Sequence, residues 1–208
     1  MTYPAVFLDR DGTLVEPRHY PSRPEELVLY QGVAAELRAL QAAGFRLVVI
    51  TNQSGLARGY FSRDDLDRMH DGLRHDLARH GVSLDGIYYC PHHPEGTVPE
   101  LSIACTCRKP RPGMLRQAAA ALQLDCRRSW LVGDILDDIE AGNRTGCRTI
   151  LVDIGTESRP TSALRRPTYV ARDTAHALRI IRHQEQLGSP TDLTYLPPTW
   201  QEIAIGGK

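Results

Sequence analysis

Two acids two residues apart, Asp9 and Asp11, follow the apolar run Val6-Phe7-Leu8 and precede Gly12 and Thr13. Carboxylates held that close repel, and one is driven to its neutral form unless a cation stands between them. Mg²⁺ suits such an all-oxygen site, because it takes one or two carboxylates, keeps some water and accepts a phosphate oxygen. A carboxylate is also a nucleophile that can form an aspartyl-phosphate, while a second acid close by gives and takes the proton. Asp134, at the end of the apolar run Trp130-Leu131-Val132-Gly133, offers a further carboxylate, and Thr51 and Asn52 end another apolar run. The plainer alternative for Asp9 and Asp11 is loop capping, for which Asp is well suited.

A second constellation lies in CPHHPEGTVPELSIACTC: Cys90-x-His92, a gap, then Cys105-x-Cys107. Three thiolates and an imidazole make a closed tetrahedral zinc site, structural because it leaves no open position. His93 competes as the imidazole ligand, and the alternative is a loop with incidental buried cysteines. Zinc there would fold a loop poor in apolar residues and hold Arg108 and Lys109, which follow Cys107 directly, at a fixed place. Lys109 precedes Pro110, which restricts the backbone, and its ammonium is a compact charge for phosphate. Cys126 and Cys147 have no partner in this spacing and read as packing residues.

These groups need a scaffold. Strand-like runs (AVFLD, RLVVITN, GIYYC, SWLVGD, TILVD) alternate with helical ones. Val33, Leu37 and Leu40 share a helix face ending at Gly44. Ser62 is an N-cap with Asp64 and Asp65 in the first turn, Leu66, Met69, Leu73 and Leu77 follow at helical spacing, and Gly81 ends that helix. The same alternation predicts helices in MLRQAAAALQL and DDIEAGNRTG, the latter giving Asp137 and Asp138 a role as first-turn acids. Such a pattern predicts an α/β fold with a doubly wound, mostly parallel sheet, whose sites lie at the carboxyl ends of the strands. Asp9, Thr51 and Asp134 all fall there.

The 208 residues suit one domain, expected over residues 1–188 with the zinc loop at 90–107, and a C-terminal tail of unassigned role at 189–208. Lys plus Arg equals Asp plus Glu, 25 of each, so the balance argues against a nucleic-acid or anionic-membrane partner. No apolar run is long enough to span a membrane. The N-terminal residues show no basic segment leading into an apolar core, so a cytoplasmic protein with reduced thiols or metal-bound cysteines is expected. Small size and balanced charge fit a monomer.

DRDGT, the ITN strand end, Lys109 before its proline, and GDILDD, in that order between Val6 and Val152, resemble the four motifs of the haloacid dehalogenase (HAD) superfamily. The resemblance implies a Mg²⁺-dependent phosphomonoesterase on a Rossmann-like core. It makes Asp9 the nucleophile and a Mg²⁺ ligand, and Asp11 the general acid and then base, with its backbone carbonyl on the metal. Thr51 would donate to the phosphoryl group, Lys109 would stabilise its charge, Asp134 would bind Mg²⁺ and Asp138 would stand beside the ligands. TNQSGLARGYF, DGIYYCPHHPEG and CTCRKPRPGM extend the likeness to the branch of the superfamily that carries a zinc loop and acts on phosphorylated sugars and histidinol phosphate. That branch implies Cys90, His92, Cys105 and Cys107 as zinc ligands and substrate contacts from Tyr20, Asn52, Gln53, Ser54 and Arg108. It also implies no large cap domain, so short loops select a small phosphorylated sugar. Two positions depart from the pattern. Ile135 stands where relatives often have a phosphate-contacting lysine, and in the loop Pro17-Arg18-His19-Tyr20 only Tyr20 fits, with Arg18 as a substitute cation. The complete set Asp9, Asp11, Thr51, Lys109 and Asp134 argues against a non-catalytic binding module.

Overall fold

The computed structural model describes residues 2–188 and 191–201. Six strands form one parallel sheet in the order β3-β2-β1-β4-β5-β6, with β1 Ala5–Leu8, β2 Arg46–Asn52, β3 Gly86–Cys90, β4 Trp130–Gly133, β5 Arg148–Val152 and β6 Tyr169–Ala171. β2 and β3 lie to one side of β1, and β4, β5 and β6 to the other. Winding reverses between β1 and β4, which pair directly with Phe7 opposite Leu131 and Leu8 opposite Val132. A crevice opens beyond the strand ends at such a reversal. β1 and β4 are buried at every position, as apolar runs covered on both faces must be.

The α-helices are α1 (Val33–Ala42), α2 (Arg63–Arg79), α3 (Gly113–Leu122), α4 (Leu136–Asn143), α5 (Thr174–Gln184) and the short α6 (Pro198–Gln201), and short 3₁₀ turns lie at Pro24–Glu26, Pro99–Leu101, Cys126–Arg128 and Ala163–Arg165. Apolar side chains form a large core that includes Val6, Leu8, Val49 and α1, α2 and α5. Phe7, Val48, Ile50 and Leu131 build another core with Met114, Leu115 and Ala118 of α3. The alternation along β1 and β2 sends successive side chains to these two layers. Ser62 caps α2 as its sequence predicts: its hydroxyl accepts from the Asp65 amide, and its own amide donates to the Asp65 carboxylate. Among the described residues no helix is long and apolar enough to cross a membrane.

β6 and α5 lie beyond the five expected strands and their helices. They widen the sheet, and α5 packs Leu178, Ile180 and Ile181 into the larger core. The described part of the tail is tied down. His176 Nε2 bonds the Asp192 carbonyl at 2.7 Å, Tyr195 donates to Asp153 at 2.7 Å, and the Trp200 indole donates to the Glu157 carbonyl at 3.2 Å. The rest of the tail assigned from sequence, residues 189–190 and 202–208, lies outside the described residues. The packing expected of Cys126 and Cys147 holds: Cys147 is buried in the α3-side core, and Cys126 packs against that core.

Candidate active site

Asp9 is the first residue past β1, and its amide donates to the Val132 carbonyl, fixing it beside the end of β4. Asp134 is the first residue past β4. Asp138 comes from the first turn of α4 and is fully buried. One oxygen from each of the three carboxylates falls within 4.8 Å of the others. Lys109, arriving from the far side of the zinc loop and 2% exposed, places Nζ 2.5 Å from Asp9 Oδ1 and 2.6 Å from Asp138 Oδ1. It also donates to the Ile50 carbonyl at 2.8 Å. The Lys109–Asp138 contact is close but poorly aligned for a hydrogen bond, so it acts as an ion pair.

Two glycines make the close approach possible. Gly12 sits at φ +85, and a β-carbon there would come within 2.4 Å of an Asp134 carboxylate oxygen. A β-carbon on Gly133 would lie 2.3 Å from that of Asp138. Thr13 donates to Asp134 Oδ1 at 2.9 Å.

Three buried acids and one ammonium leave an excess of negative charge. Burial, aided by the Asp138 and Asp11 charges and opposed by Lys109, pushes the Asp9 carboxyl up to about 7. Burial and the Asp9 and Asp138 charges push Asp134 up to about 8. Burial acts to lower the Lys109 pKa, but Asp138 and Asp9 outweigh it and hold the ammonium charged. The donor set, all carboxylate oxygen with net negative charge, fits a hard divalent cation such as Mg²⁺.

That charge excess has a measurable result. An acid whose folded pKa is raised stabilises the fold at low pH, and this contribution is lost as pH climbs from about 4 through the folded values. For Asp9 and Asp134 those values are about 7 and about 8. Chelator-treated protein is therefore expected to show a falling Tm from pH 5 to 8. Mg²⁺ should raise Tm more at pH 8 than at pH 5, because binding must displace protons at the lower pH. Thermal melts with and without Mg²⁺ across this range check it; a Mg²⁺ shift independent of pH would contradict the charge balance.

The Asp11 carboxylate faces away from the cluster. It pairs with the fully buried Arg10 at 2.9 Å and accepts from Gln53 Nε2 at 3.0 Å. Gln53 Nε2 also donates to Thr51 Oγ1 at 2.8 Å, and Gln53 Oε1 accepts from Arg10. The Thr51 oxygen is thus an acceptor to Gln53, which leaves its hydroxyl proton to be donated elsewhere. Asn52 clasps the Lys109 backbone at both ends: Nδ2 donates to the Lys109 carbonyl at 3.3 Å, and Oδ1 accepts from the Lys109 amide at 3.1 Å. Asn52 and Gln53, singled out from the sequence as substrate contacts, therefore have bracing partners within the protein. Arg10 escaped the sequence reading; an arginine between two acids reads as exposed, yet it anchors Asp11 from inside.

A cavity of about 180 Å³ is lined by Asp9, Asp11, Thr51, Asn52, Lys109, Asp134 and Ile135. Beside it lies one of about 310 Å³, bordered by Asp11, Arg18, Tyr20, Gln53 and Ser54 among others. Tyr20 packs edge-on against Tyr60 there. A larger cavity, about 900 Å³, runs along β6 between Arg159, Arg166, Tyr195 and Trp200 and contains none of the carboxylate–lysine cluster.

The second cluster forms as its spacing suggests. Cys90 and Cys107 sulfurs lie 3.1 Å apart, Cys107 and Cys105 3.3 Å, Cys90 and Cys105 3.5 Å, and His92 Nδ1 is 3.3 Å from Cys107 Sγ. These are contracted edges of a tetrahedron whose Zn–S bonds would be about 2.3 Å. The Arg108 amide donates to Cys105 Sγ at 3.3 Å. His93 is outside the cluster, with its ring facing Arg58.

Fold and clusters together define a hydrolase of the HAD type. The family model described as HAD-hydrolase-like matches residues 106–177. A relative from Yersinia pestis called D-glycero-beta-D-manno-heptose-1,7-bisphosphate 7-phosphatase is 46% identical over 138 residues, 66% of this chain and 73% of its own. The protein of that name from Escherichia coli (strain K12) is 44% identical over 158 residues, 76% of this chain and 83% of its own. A D,D-heptose 1,7-bisphosphate phosphatase from B. bronchiseptica, solved with magnesium and phosphate, superposes with a TM-score of 0.74 at 31% identity, covering 87% of this chain and 99% of that one. The chain belongs to the HAD-like hydrolases. Within them it is a phosphatase, a phosphoric monoester hydrolase similar to the heptose-bisphosphate phosphatases.

Proposed function

We propose that the enzyme removes the 7-phosphate of D-glycero-β-D-manno-heptose 1,7-bisphosphate, giving heptose 1-phosphate and phosphate, a step toward nucleotide-activated heptose for surface polysaccharide in the cytoplasm. The observation that carries the chemistry is the placing of Asp9 against Lys109, beside Asp134, at the sheet's switch point. The names of relatives at 44–46% identity support the sugar and its anomer.

In this reading an Asp9 carboxylate oxygen attacks the phosphorus in line, and the bond to the sugar's O7 breaks. Asp11, drawn from Arg10 and Gln53, gives its proton to the departing oxygen. It then takes a proton from water, which attacks the aspartyl-phosphate and releases phosphate. Lys109 and the Thr51 hydroxyl meet the charge that spreads over the equatorial oxygens. Asp9, Asp134 and the Asp11 carbonyl, with Asp138 beside them, would hold Mg²⁺, which would supply charge neutralisation for the phosphoryl group. Zinc on Cys90, His92, Cys105 and Cys107 is structural. Tyr20, Ser54 and Arg108 meet the sugar and its distal end, while Asn52 and Gln53 support the substrate through Lys109 and Asp11.

Phosphate release with Mg²⁺ on both heptose anomers, histidinol phosphate and fructose 1,6-bisphosphate tests the assignment. The β anomer is expected to show a kcat/KM at least about tenfold above the others, ~1.4 kcal/mol of transition-state discrimination. A preference for histidinol phosphate, or none, overturns the heptose reading and leaves the chemistry standing.

A further inference from the structure

Helix α4 carries part of the carboxylate cluster but has no cap of its own. Asp134 stands two residues before its first residue, Leu136, and Asp138 lies in its first turn. The N-cap position is Ile135, whose side chain has no oxygen to accept the free amides at a helix start. A partner 21 positions away accepts instead: the Glu157 carboxylate takes the Leu136 amide at 3.0 Å. A negative charge also suits this end of the helix dipole.

Glu157 is itself held. It lies in the segment after β5, and its carbonyl accepts from the Trp200 indole at 3.2 Å. Trp200 is buried in one apolar cluster with Leu136 and Ile139 of α4, Leu151 of β5 and Val170 of β6. The C-terminal segment thus reaches the first turn of α4 by two routes, the apolar cluster it shares with Leu136 and the hydrogen bonds through Glu157.

That turn has little room to shift without disturbing the cluster. Asp138 faces Gly133 so closely that no β-carbon fits there, and its carboxylate stands 2.6 Å from Lys109 Nζ. Its other oxygen accepts from the Ile135 amide at 3.3 Å, which ties the residue after Asp134 to the same turn. Groups that stand behind metal ligands fix their orientation, and losing one typically costs roughly 10- to 100-fold in metal affinity.

We propose that Glu157 and Trp200 are positioning residues for the divalent cation. Glu157 caps α4 from outside the helix, Trp200 holds Glu157 in place, and together they set Asp134 and Asp138 for the ion. This rests on the reading that Asp134 is a Mg²⁺ ligand, and it gives the C-terminal segment a part in building the site.

Mg²⁺ affinity, measured by calorimetry on the full chain at pH 8, tests this apart from turnover. The Glu157 side chain is only partly buried, so shortening it opens no core. Glu157→Ala is expected to weaken Mg²⁺ binding at least about tenfold. Glu157→Gln keeps an oxygen for the Leu136 amide and should stay within about twofold of wild type. Equal weakening in the two variants overturns the cap, because it reports the lost charge alone. Trp200→Phe keeps a ring in the apolar cluster but donates nothing to Glu157, and a loss of about threefold or more is expected; no loss there overturns the part given to Trp200. Wild-type affinity in Glu157→Ala overturns the proposal and leaves the cation reading standing, whereas wild type that binds no Mg²⁺ overturns both.

Discussion

Asp9→Asn is expected to abolish turnover, with kcat down at least about 10⁴-fold, while the chain stays folded and keeps its zinc. The amide has the shape of the carboxylate but cannot displace an alkoxide from phosphorus. Lys109 keeps Asp138 as its anionic partner at 2.6 Å, so the ammonium is not left alone in the interior. The charged form of Asp9 is opposed by burial. Removing that charge should leave the Tm of chelator-treated protein at pH 8 equal to wild type or higher, and shrink the stabilisation that Mg²⁺ provides. Phosphate release, zinc analysis and melts on the one variant check all three points. Acid-quenched wild type should carry phosphate on the peptide containing Asp9. Activity at the wild-type level in Asp9→Asn would remove Asp9 as the nucleophile.

The legible part of this site was the part written into strand ends. In a parallel sheet the carboxyl ends of neighbouring strands share one edge, so acids at the ends of AVFL and WLVG had to come together once the strands paired. The gathering of Cys90, His92, Cys105 and Cys107 was legible because thiols and imidazoles at close spacing have few other uses. What the sequence hid were partnerships between distant segments. Nothing local distinguishes Arg10 from an exposed arginine; its burial follows from Gln53 and Asp11 closing over it. The bracing of Asn52 against Lys109 spans 57 positions. β6 went unread because three residues, Tyr169–Ala171, are too few to show alternation. α5 did carry a signal: Asp173 accepts from the His176 amide as an N-cap, and Ala177, Leu178, Ile180 and Ile181 follow at helical spacing. The tail's anchors, Tyr195 and Trp200, sit in a proline-containing stretch without a period, so only contact with Asp153 and Glu157 reveals them.

The same geometry links the carboxylate cluster to the Cys/His cluster. Lys109 reaches the carboxylates from a backbone held at one end by Asn52 and, two residues upstream, by Cys107 of the thiol cluster. The Lys109 ammonium is therefore positioned by a loop whose own apolar content is small: Ile103 is exposed, and Leu101 alone among the larger side chains of 91–104 packs on the core. Such a loop gains little order from burial, and a metal on its thiol cluster is expected to supply the rest.

Removing zinc should for that reason damage catalysis as well as stability. Elemental analysis is expected to find about one zinc per chain, as four protein ligands require. Cys107→Ser, or extraction by a strong chelator followed by Mg²⁺ replenishment, should lower Tm by about 10 °C or more, since each kcal/mol is worth roughly 2–4 °C in a chain of this size. It should also cut kcat/KM by about 10²-fold or more, because a displacement of Lys109 near 1 Å is enough for such a loss. Cys126→Ser, outside the cluster, should keep both zinc and activity, which separates metal loss from a general effect of removing a thiol. Adding zinc back to the extracted wild type should restore rate and Tm together, whereas Cys107→Ser should regain neither. Folded, fully active protein without zinc would dissolve the link between the loop and Lys109.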